Sequence, residues 1–129
     1  MKNLNDISLL VLRVSMSALM ITQHGWRKFE KLLAGGKIEF YDFMGIGETP
    51  TLVLTVLGEV IAPAFILLGL FTRIAAAPAF ITMAVAAFMV HAGDPFSDKE
   101  HALMYALVFL CVMLSGAGQY SLDHRLRKR

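Results

Sequence analysis

The stretch TLVLTVLGEVIAPAFILLGLF, residues 51–71, contains a single charged side chain, Glu59. At about 1.5 Å per residue, a helix of this length is about 30 Å long, which is the thickness of the hydrocarbon core of a bilayer. The stretch is therefore predicted to be a transmembrane helix. A carboxylate inside such a helix costs about 2.5–3.5 kcal/mol on insertion scales. We therefore expect Glu59 to face the interior of a helix bundle, to have a partner and to be functional.

The composition of the whole chain also indicates a membrane protein. Hydrophobic residues make up 57% of the 129 residues and charged residues only 17%, whereas soluble domains carry about 25% charged residues. The length predicts one integral membrane domain over residues 1–129. The net charge of +2 and the scattered basic residues argue against nucleic acid as a partner. Because there is one cysteine, an intrachain disulfide and a CxxC motif are excluded, and no covalently bound cofactor is expected.

Three further apolar runs complete the predicted architecture. The fold class expected is all-α, an antiparallel bundle of four transmembrane helices over about residues 7–25, 51–71, 73–92 and 101–118. The second and third runs are almost contiguous, so they should form a tight helical hairpin. Residues 26–50 mix aromatic and basic side chains, which is typical of a membrane interface. They are predicted to form a partly helical interfacial segment between helices 1 and 2.

The distribution of Lys and Arg predicts the orientation of the bundle. Six of these residues flank the membrane on the side of the two termini, and five lie on the other side. Basic residues are more frequent in cytoplasmic segments. Both termini are therefore expected in the cytoplasm.

Helical geometry groups several polar residues. At 100° per residue, Arg13, His24 and Arg27 fall within about 40° of one another on the first helix. Counting from the predicted helix ends places Arg13 at the depth of Glu59, so an ion pair between them is expected because a buried ion needs an opposite charge. The remaining polar side chains near the outer end should form a pocket that opens outward and descends to this pair: Gln23, His24, Arg27, His91, Glu100 and His101.

Several motifs resemble those of a known family, in the same order along the chain. They are Arg13 in the first helix, G-x-x-K at residues 25–28, G-E at residues 58–59 and LLGLFTR at residues 67–73, followed by His91, Glu100 and GAGQYSLD at residues 116–123. This pattern resembles the DoxX family of small bacterial membrane proteins with four transmembrane helices. Ala117 departs from it, because proline is common at that position, and this concerns only the local turn.

The resemblance implies a multi-pass protein of the bacterial inner membrane, and its functional implications remain open. Family members resemble membrane subunits of thiosulfate:quinone oxidoreductase or of other quinone-linked systems, and others are associated with oxidative stress on thiols. One hypothesis is therefore a redox subunit that binds a quinone or a small sulfur anion and works with a soluble or membrane redox partner protein. The alternative is a noncatalytic scaffold or chaperone-like module for a partner protein.

The redox hypothesis assigns roles to six residues. Glu59 and His91 are the catalytic candidates, because a buried carboxyl and an imidazole can exchange protons near neutral pH. Arg13, His24, Arg27 and Glu100 are the ligand-binding candidates, with the arginines neutralising an anion or donating to a quinone carbonyl. His24, His91, His101 and Glu100 are residue types that could hold zinc or iron, but the sequence contains no HxxxH or ExxH spacing, and no metal is predicted.

Overall fold

The computed structural model describes residues 2–129, and all of the regular secondary structure in that range is helical. Its α-helices are α1 (Lys2–Met20), α2 (Trp26–Ala34), α3 (Glu48–Val56), α4 (Ala62–Leu68), α5 (Thr72–Val85), α6 (Phe96–Ser115) and α7 (Leu122–Arg127). Three π-helical turns extend or join them, at Ile21–Gly25, Leu57–Ile61 and Ala86–Val90. The all-α prediction is confirmed.

Three helices are long and apolar enough to cross a membrane. They are Asn3–Ala34, Glu48–Leu68 and Thr72–Val90. The fourth predicted span corresponds to α6, which begins earlier than expected, with Asp98, Lys99 and Glu100 in its first turns. Because of these charges, α6 is not among the helices that are apolar enough to span a membrane, and the predicted count of four spans is not confirmed.

The first helix is longer than the sequence predicts. We expected it to end at Gly25, but the π-helical turn Ile21–Gly25 carries the helix directly into α2. The backbone N–H of Trp26 donates to the carbonyl of Ile21, five residues earlier. The interfacial segment is therefore partly helical, as predicted, but its helix continues the first span and does not form a separate element. The irregular part is confined to residues 35–47.

The second span contains a π-helical turn for an identifiable reason. Pro63 lies at the start of α4 and has no N–H to donate to the carbonyl of Glu59, four residues earlier. The preceding residue, Ala62, donates instead to the carbonyl of Leu57. The turn Leu57–Ile61 that results places Glu59 on the buried side of the helix, with 2% of the residue exposed.

The predicted hairpin between the second and third spans is confirmed. The chain turns through Gly69, which has a φ of 72°, and Phe71, which has a φ of 49°. Glycine adopts such left-handed conformations without strain, while a bulky residue such as Phe71 does so at some cost. After this turn, α5 packs against α4 and, most extensively, against α6.

Small residues form the contact between α5 and α6. Ala76, Ala79 and Ala87 are fully buried, and Ala102 and Ala106 face them from α6. Small side chains allow helix backbones to approach closely, which favours association inside a membrane. A second apolar cluster lies at the other end of the molecule, where Leu52, Val56 and Val60 pack against Phe29, Leu32, Ile38 and Phe40. This second cluster fixes α2 and the irregular segment against α3.

Candidate functional site

Glu59 forms an ion pair with Lys28, which is the central feature of the site. The Lys28 ammonium lies 2.8 Å from both Glu59 oxygens and donates to each. The Glu59 side chain is 3% exposed and that of Lys28 is 31% exposed. Hydrogen bonds between ionised groups are about twice as strong as neutral ones. The pair therefore joins α2 to the π-helical turn of the second span.

Close contact between the two helices makes this pair possible. A Cβ atom at Gly25 would lie 2.6 Å from the carbonyl oxygen of Glu59, so only glycine fits at this crossing. Lys28 follows Gly25 by three residues, which is about one helical turn, and its side chain reaches the Glu59 carboxylate from there. On the other side of the second span, a Cβ at Gly58 would lie 1.9 Å from Thr82 Oγ1. Both neighbouring helices therefore contact the second span at the level of Glu59.

The Lys28–Glu59 pair borders a cavity of about 320 Å³. This volume is within the range of small-molecule sites. Four parts of the chain line the cavity: α2 through Lys28, the second span, the C-terminal half of the third span and the irregular segment. Most of its walls are apolar, with Phe40, Phe43 and Tyr41 from the irregular segment and Leu54, Ile81, Val85, Ala86 and Val90 from the helices.

The polar groups of the cavity are few and mostly engaged within the protein. Lys28, Glu59, His91, Thr51, Thr55 and Thr82 line it. The hydroxyls of Thr55 and Thr82 donate to carbonyls of their own helices at 2.8 Å, which leaves their oxygen lone pairs available as acceptors. His91 Nδ1 lies 2.8 Å from Asp94 Oδ2, so a carboxylate orients the imidazole ring.

Two of the six predicted site residues, Glu59 and His91, line this one cavity. His24 does not line the cavity; its ring packs edge-on against Tyr105 at 5.0 Å between centroids. Arg27 and Glu100 are exposed, and neither lines the cavity. The six predicted residues therefore do not share one cavity, and their roles remain predictions.

The predicted ion pair between Arg13 and Glu59 is wrong. Arg13 Nη1 donates to the carbonyls of Ile66 and Leu67 at 2.8 and 2.7 Å, and Nη2 donates to the carbonyl of Tyr120 at 2.7 Å. Arg13 is 2% exposed and lies near the hairpin that ends the second span. Its guanidinium donates to two carbonyls at the end of α4 and to one in the turn before α7; the Ile66 carbonyl also accepts from the backbone N–H of Gly69.

The relative position of the first and second spans explains why the predicted Arg13–Glu59 pair is wrong. The sequence prediction aligned His24 with the start of the second span at Thr51. In the structure Gly25 instead contacts Glu59 and Val60, so the first helix is displaced along the second. The guanidinium group of Arg13 lies at the level of Gly69, where an added Cβ would be 2.8 Å from Nη1.

Lys28 is the functional candidate that the sequence prediction missed. A regular helix places Arg27 on the stripe of Arg13, but the i to i+5 bond of the π-helical turn takes up one more residue than an i to i+4 bond. Every later residue is therefore displaced by one position around the axis. Lys28 takes the place expected for Arg27, which becomes exposed. The G-x-x-K motif was the available signal, because its spacing puts glycine and lysine on the same side of the helix.

The opposite end of the bundle is organised by Asp123. The backbone N–H groups of Phe71 and Thr72 donate to its two carboxylate oxygens at 2.7 and 2.9 Å. Partial burial would by itself raise the pKa of Asp123, but hydrogen bonds from Thr72 and Phe71 and the charge of Arg127 outweigh it and hold the pKa below its usual value. Asp123 is therefore ionised at neutral pH and anchors the C-terminal segment to the start of α5.

Among residues 2–129 no group of three or more His, Cys, Asp or Glu side chains is placed to hold a metal ion. The proposed ligands His24, His91, His101 and Glu100 therefore do not form a cluster.

The fold and the cavity define a multi-pass helical membrane protein with an ion pair buried beside a mostly apolar pocket. The sequence matches the DoxX family over residues 8–92. The chain belongs to this family, as its motifs indicated. It is similar to an uncharacterized protein of Haemophilus influenzae, with 34% identity over 122 residues that cover 87% of this chain and 86% of the relative.

A second relative is similar along its full length. The inner membrane protein YqjF of Escherichia coli is 31% identical over 137 aligned positions, which cover 100% of this chain and 99% of the relative. No solved structure matches the chain.

Proposed function

We propose that the protein is an inner-membrane redox subunit that binds a quinone in the cavity beside Lys28 and Glu59. The observation that carries the proposal is that Glu59 and His91, the two predicted proton-exchanging residues, line one cavity together with Lys28. Its mostly apolar walls suit a lipophilic ring, and its few polar groups can orient carbonyl oxygens. The residues present therefore fit a quinone.

The charges of the cavity favour an uncharged ligand over a small sulfur anion. The two arginines that were expected to neutralise an anion lie elsewhere, because Arg13 binds backbone carbonyls and Arg27 is exposed outside the cavity. The remaining cation, Lys28, is already paired with Glu59. An anion in this site would therefore have to compete with the Glu59 carboxylate for the same ammonium group.

The protein residues have defined tasks in this proposal. Quinone reduction to quinol takes up two electrons and two protons, and the electrons come from a redox partner protein. Lys28 has three N–H donors and uses two for Glu59, so its third N–H is available for a carbonyl oxygen of the ligand. Glu59 and His91 hold and transfer protons at the cavity wall. Asp94 holds the His91 ring through its contact with Nδ1.

The topology proposed with this function has four membrane crossings and both termini in the cytoplasm. The full-length similarity to an inner membrane protein supports the location, and the 20-residue length of α6 together with its packing against α5 supports the fourth crossing. Ile38 and the rest of the irregular segment would then lie on the same side as the α5–α6 connection.

Cysteine labelling tests this topology. In a Cys111→Ser background, we expect Lys37→Cys and Ser97→Cys to react with a membrane-impermeant maleimide in intact spheroplasts. Leu126→Cys should react only after the membrane is permeabilised, and the Cys111→Ser protein itself should not react. Labelling of positions 37 and 97 from opposite faces would show that the number of crossings is wrong.

Two conservative substitutions test the function. Glu59→Gln and His91→Asn keep the shape of each side chain but remove proton exchange, so quinone reduction by membranes containing each variant should fall by about 100-fold or more. Glu48→Gln is the matched control, because Glu48 is an exposed carboxylate at the start of the second span. Saturation binding of decylubiquinone to the purified proteins measures ligand binding separately.

The same experiment separates the redox subunit from the noncatalytic scaffold. The bidentate Lys28–Glu59 pair also joins two helices, and this structural contribution is the observation that favours a scaffold. In a scaffold, both variants would retain wild-type turnover and neither they nor the wild-type protein would bind decylubiquinone. That result would eliminate the redox proposal.

A further inference from the structure

A second and larger cleft lies at the end of the bundle opposite to the Lys28–Glu59 cavity. Its volume is about 710 Å³, and it is bounded by the start of α5, the turn after α6 and the short helix α7. Arg73 and Arg127 line it, together with the apolar side chains Phe71, Ile74 and Leu126. The cleft thus combines cationic and apolar groups at the level where the second and third spans meet.

The two arginines are available for a ligand. Both are exposed, and in the described part of the chain neither forms a direct ion pair or donates a side-chain hydrogen bond to the protein, although the charge of Arg127 acts on Asp123 at longer range. The Arg73 guanidinium lies over Gly116, where an added Cβ would be 3.2 Å from Nε. Arginine is suited to phosphate recognition because its planar group donates two parallel hydrogen bonds.

The carboxylates of the cleft are already occupied. Asp123 accepts from the N–H groups of Phe71 and Thr72, at the positive end of the α5 dipole. Asp6 accepts from the N–H of Gln119 at 3.1 Å. The C-terminal segment adds Arg125, Lys128 and Arg129, so this end carries five cationic side chains, with Arg73 and Arg127, against two carboxylates.

The apolar residues of the cleft are exposed. Ile74 is 74% exposed, Phe71 58% and Leu126 55%. Ile74 begins the apolar run of α5, so it lies at the boundary between the hydrocarbon core and the headgroups. A ligand that carries a phosphate next to an aliphatic chain would contact the arginines and these side chains at once.

We propose that this cleft binds the headgroup of an anionic phospholipid. Arg73 and Arg127 hold the phosphodiester, and the first part of an acyl chain lies along Phe71, Ile74 and Leu126. Basic pockets between membrane-spanning helices bind anionic lipid headgroups in this way. The site is independent of the quinone cavity.

Lipid titration of the purified protein tests the proposal. Protein in neutral detergent is titrated with dioleoylphosphatidylglycerol, and the bound fraction is measured by native mass spectrometry. Dioleoylphosphatidylcholine and sodium phosphate are titrated in parallel as competitors. Phosphatidylglycerol should bind at least about tenfold more tightly than phosphatidylcholine, and phosphate at the same concentration should not displace it. Equal binding of the two lipids, or displacement by phosphate, would overturn the proposal.

A matched pair of variants separates a defined site from general surface attraction. Arg73→Gln with Arg127→Gln should weaken phosphatidylglycerol binding by about 30-fold, which corresponds to the contribution of two cations at a membrane surface. Arg125→Gln with Lys128→Gln removes the same amount of charge outside the cleft. This double variant should weaken phosphatidylglycerol binding by less than about fivefold. Equal losses of phosphatidylglycerol binding in the two double variants would show that no defined site exists. Melting temperatures in detergent check that both pairs fold.

Discussion

Replacing Glu59 with leucine should lower the free energy of unfolding by about 3–5 kcal/mol, because the Lys28 ammonium then remains without its counter-charge next to the protein interior. Lys28→Met should cost a similar amount, since it leaves the carboxylate of Glu59, which is 3% exposed, without an ionic partner. The double variant Lys28→Met with Glu59→Leu should be far milder than the sum, because apolar side chains replace both ions. Thermal melts in detergent measure all three.

Arg13 provides the reference for this double-mutant cycle. It binds backbone carbonyls at the other end of the bundle and not Glu59, so Arg13→Met and Glu59→Leu should have additive effects within about 0.5 kcal/mol. If the losses of unfolding free energy in the Lys28 and Glu59 variants are additive, the two side chains do not form an ion pair. A large coupling between Arg13 and Glu59 would show that their separation in the structure is wrong.

Removing the Arg13 guanidinium should be the other strongly destabilising change. Arg13→Met leaves the carbonyls of Leu67 and Tyr120 without this donor, and each buried acceptor without a partner costs about 1–3 kcal/mol. The Ile66 carbonyl loses one of two donors, because it keeps the N–H of Gly69. A total loss of about 3–5 kcal/mol is expected, measured by thermal or denaturant unfolding in detergent.

A change at Arg27 is the control for Arg13. Arg27 belongs to the same continuous helix but is exposed, so Arg27→Met should change the free energy of unfolding by no more than about 0.5 kcal/mol. Arg13→Lys keeps the charge but cannot reproduce the planar arrangement of donors, so it should restore only part of the stability. Full stability in Arg13→Met would show that these hydrogen bonds contribute nothing.

The Arg13 contacts explain why motifs far apart in the chain occur together. Arg13 from the first helix contacts carbonyls of Ile66 and Leu67, and Ser121 approaches Gly69, where an added Cβ would be 2.5 Å from its side chain. Asp123 then binds the start of α5. The Arg of the first helix, the LLGLFTR stretch and the SLD stretch are therefore parts of one structural junction, and Arg13 is a structural residue of this junction.

Each of the three helices that are apolar enough to cross a membrane contains one π-helical turn. All three turns are close to the proposed quinone site. The second-span turn contains Glu59, the third-span turn supplies Ala86 and Val90 to the cavity wall, and the first-span turn sets the position of Lys28. π-Helical turns are frequent at functional sites. They redirect side chains without breaking the helix, which a membrane-spanning segment requires because its backbone groups must remain hydrogen-bonded.

The sequence alone determined the class of the protein, the all-α fold, the hairpin between the second and third spans and the family. These features follow from the length of the apolar runs, the short connection between residues 71 and 73 and the order of the motifs, all of which are local properties of the chain. Sequence also identified Glu59 as a buried carboxylate in need of a partner, because a charge in an apolar helix is costly wherever the helix packs.

Only the tertiary structure decided which residue pairs with Glu59 and which line the cavity. Both depend on how far one helix is displaced along another and on the phase of the helix after a π-helical turn. A regular 100° rotation per residue predicted Arg27 on the polar stripe, whereas one additional residue in the turn Ile21–Gly25 put Lys28 there. The displacement itself is set by the close contact between Gly25 and the backbone of Glu59, which joins residues distant in the chain and has no counterpart in local periodicity.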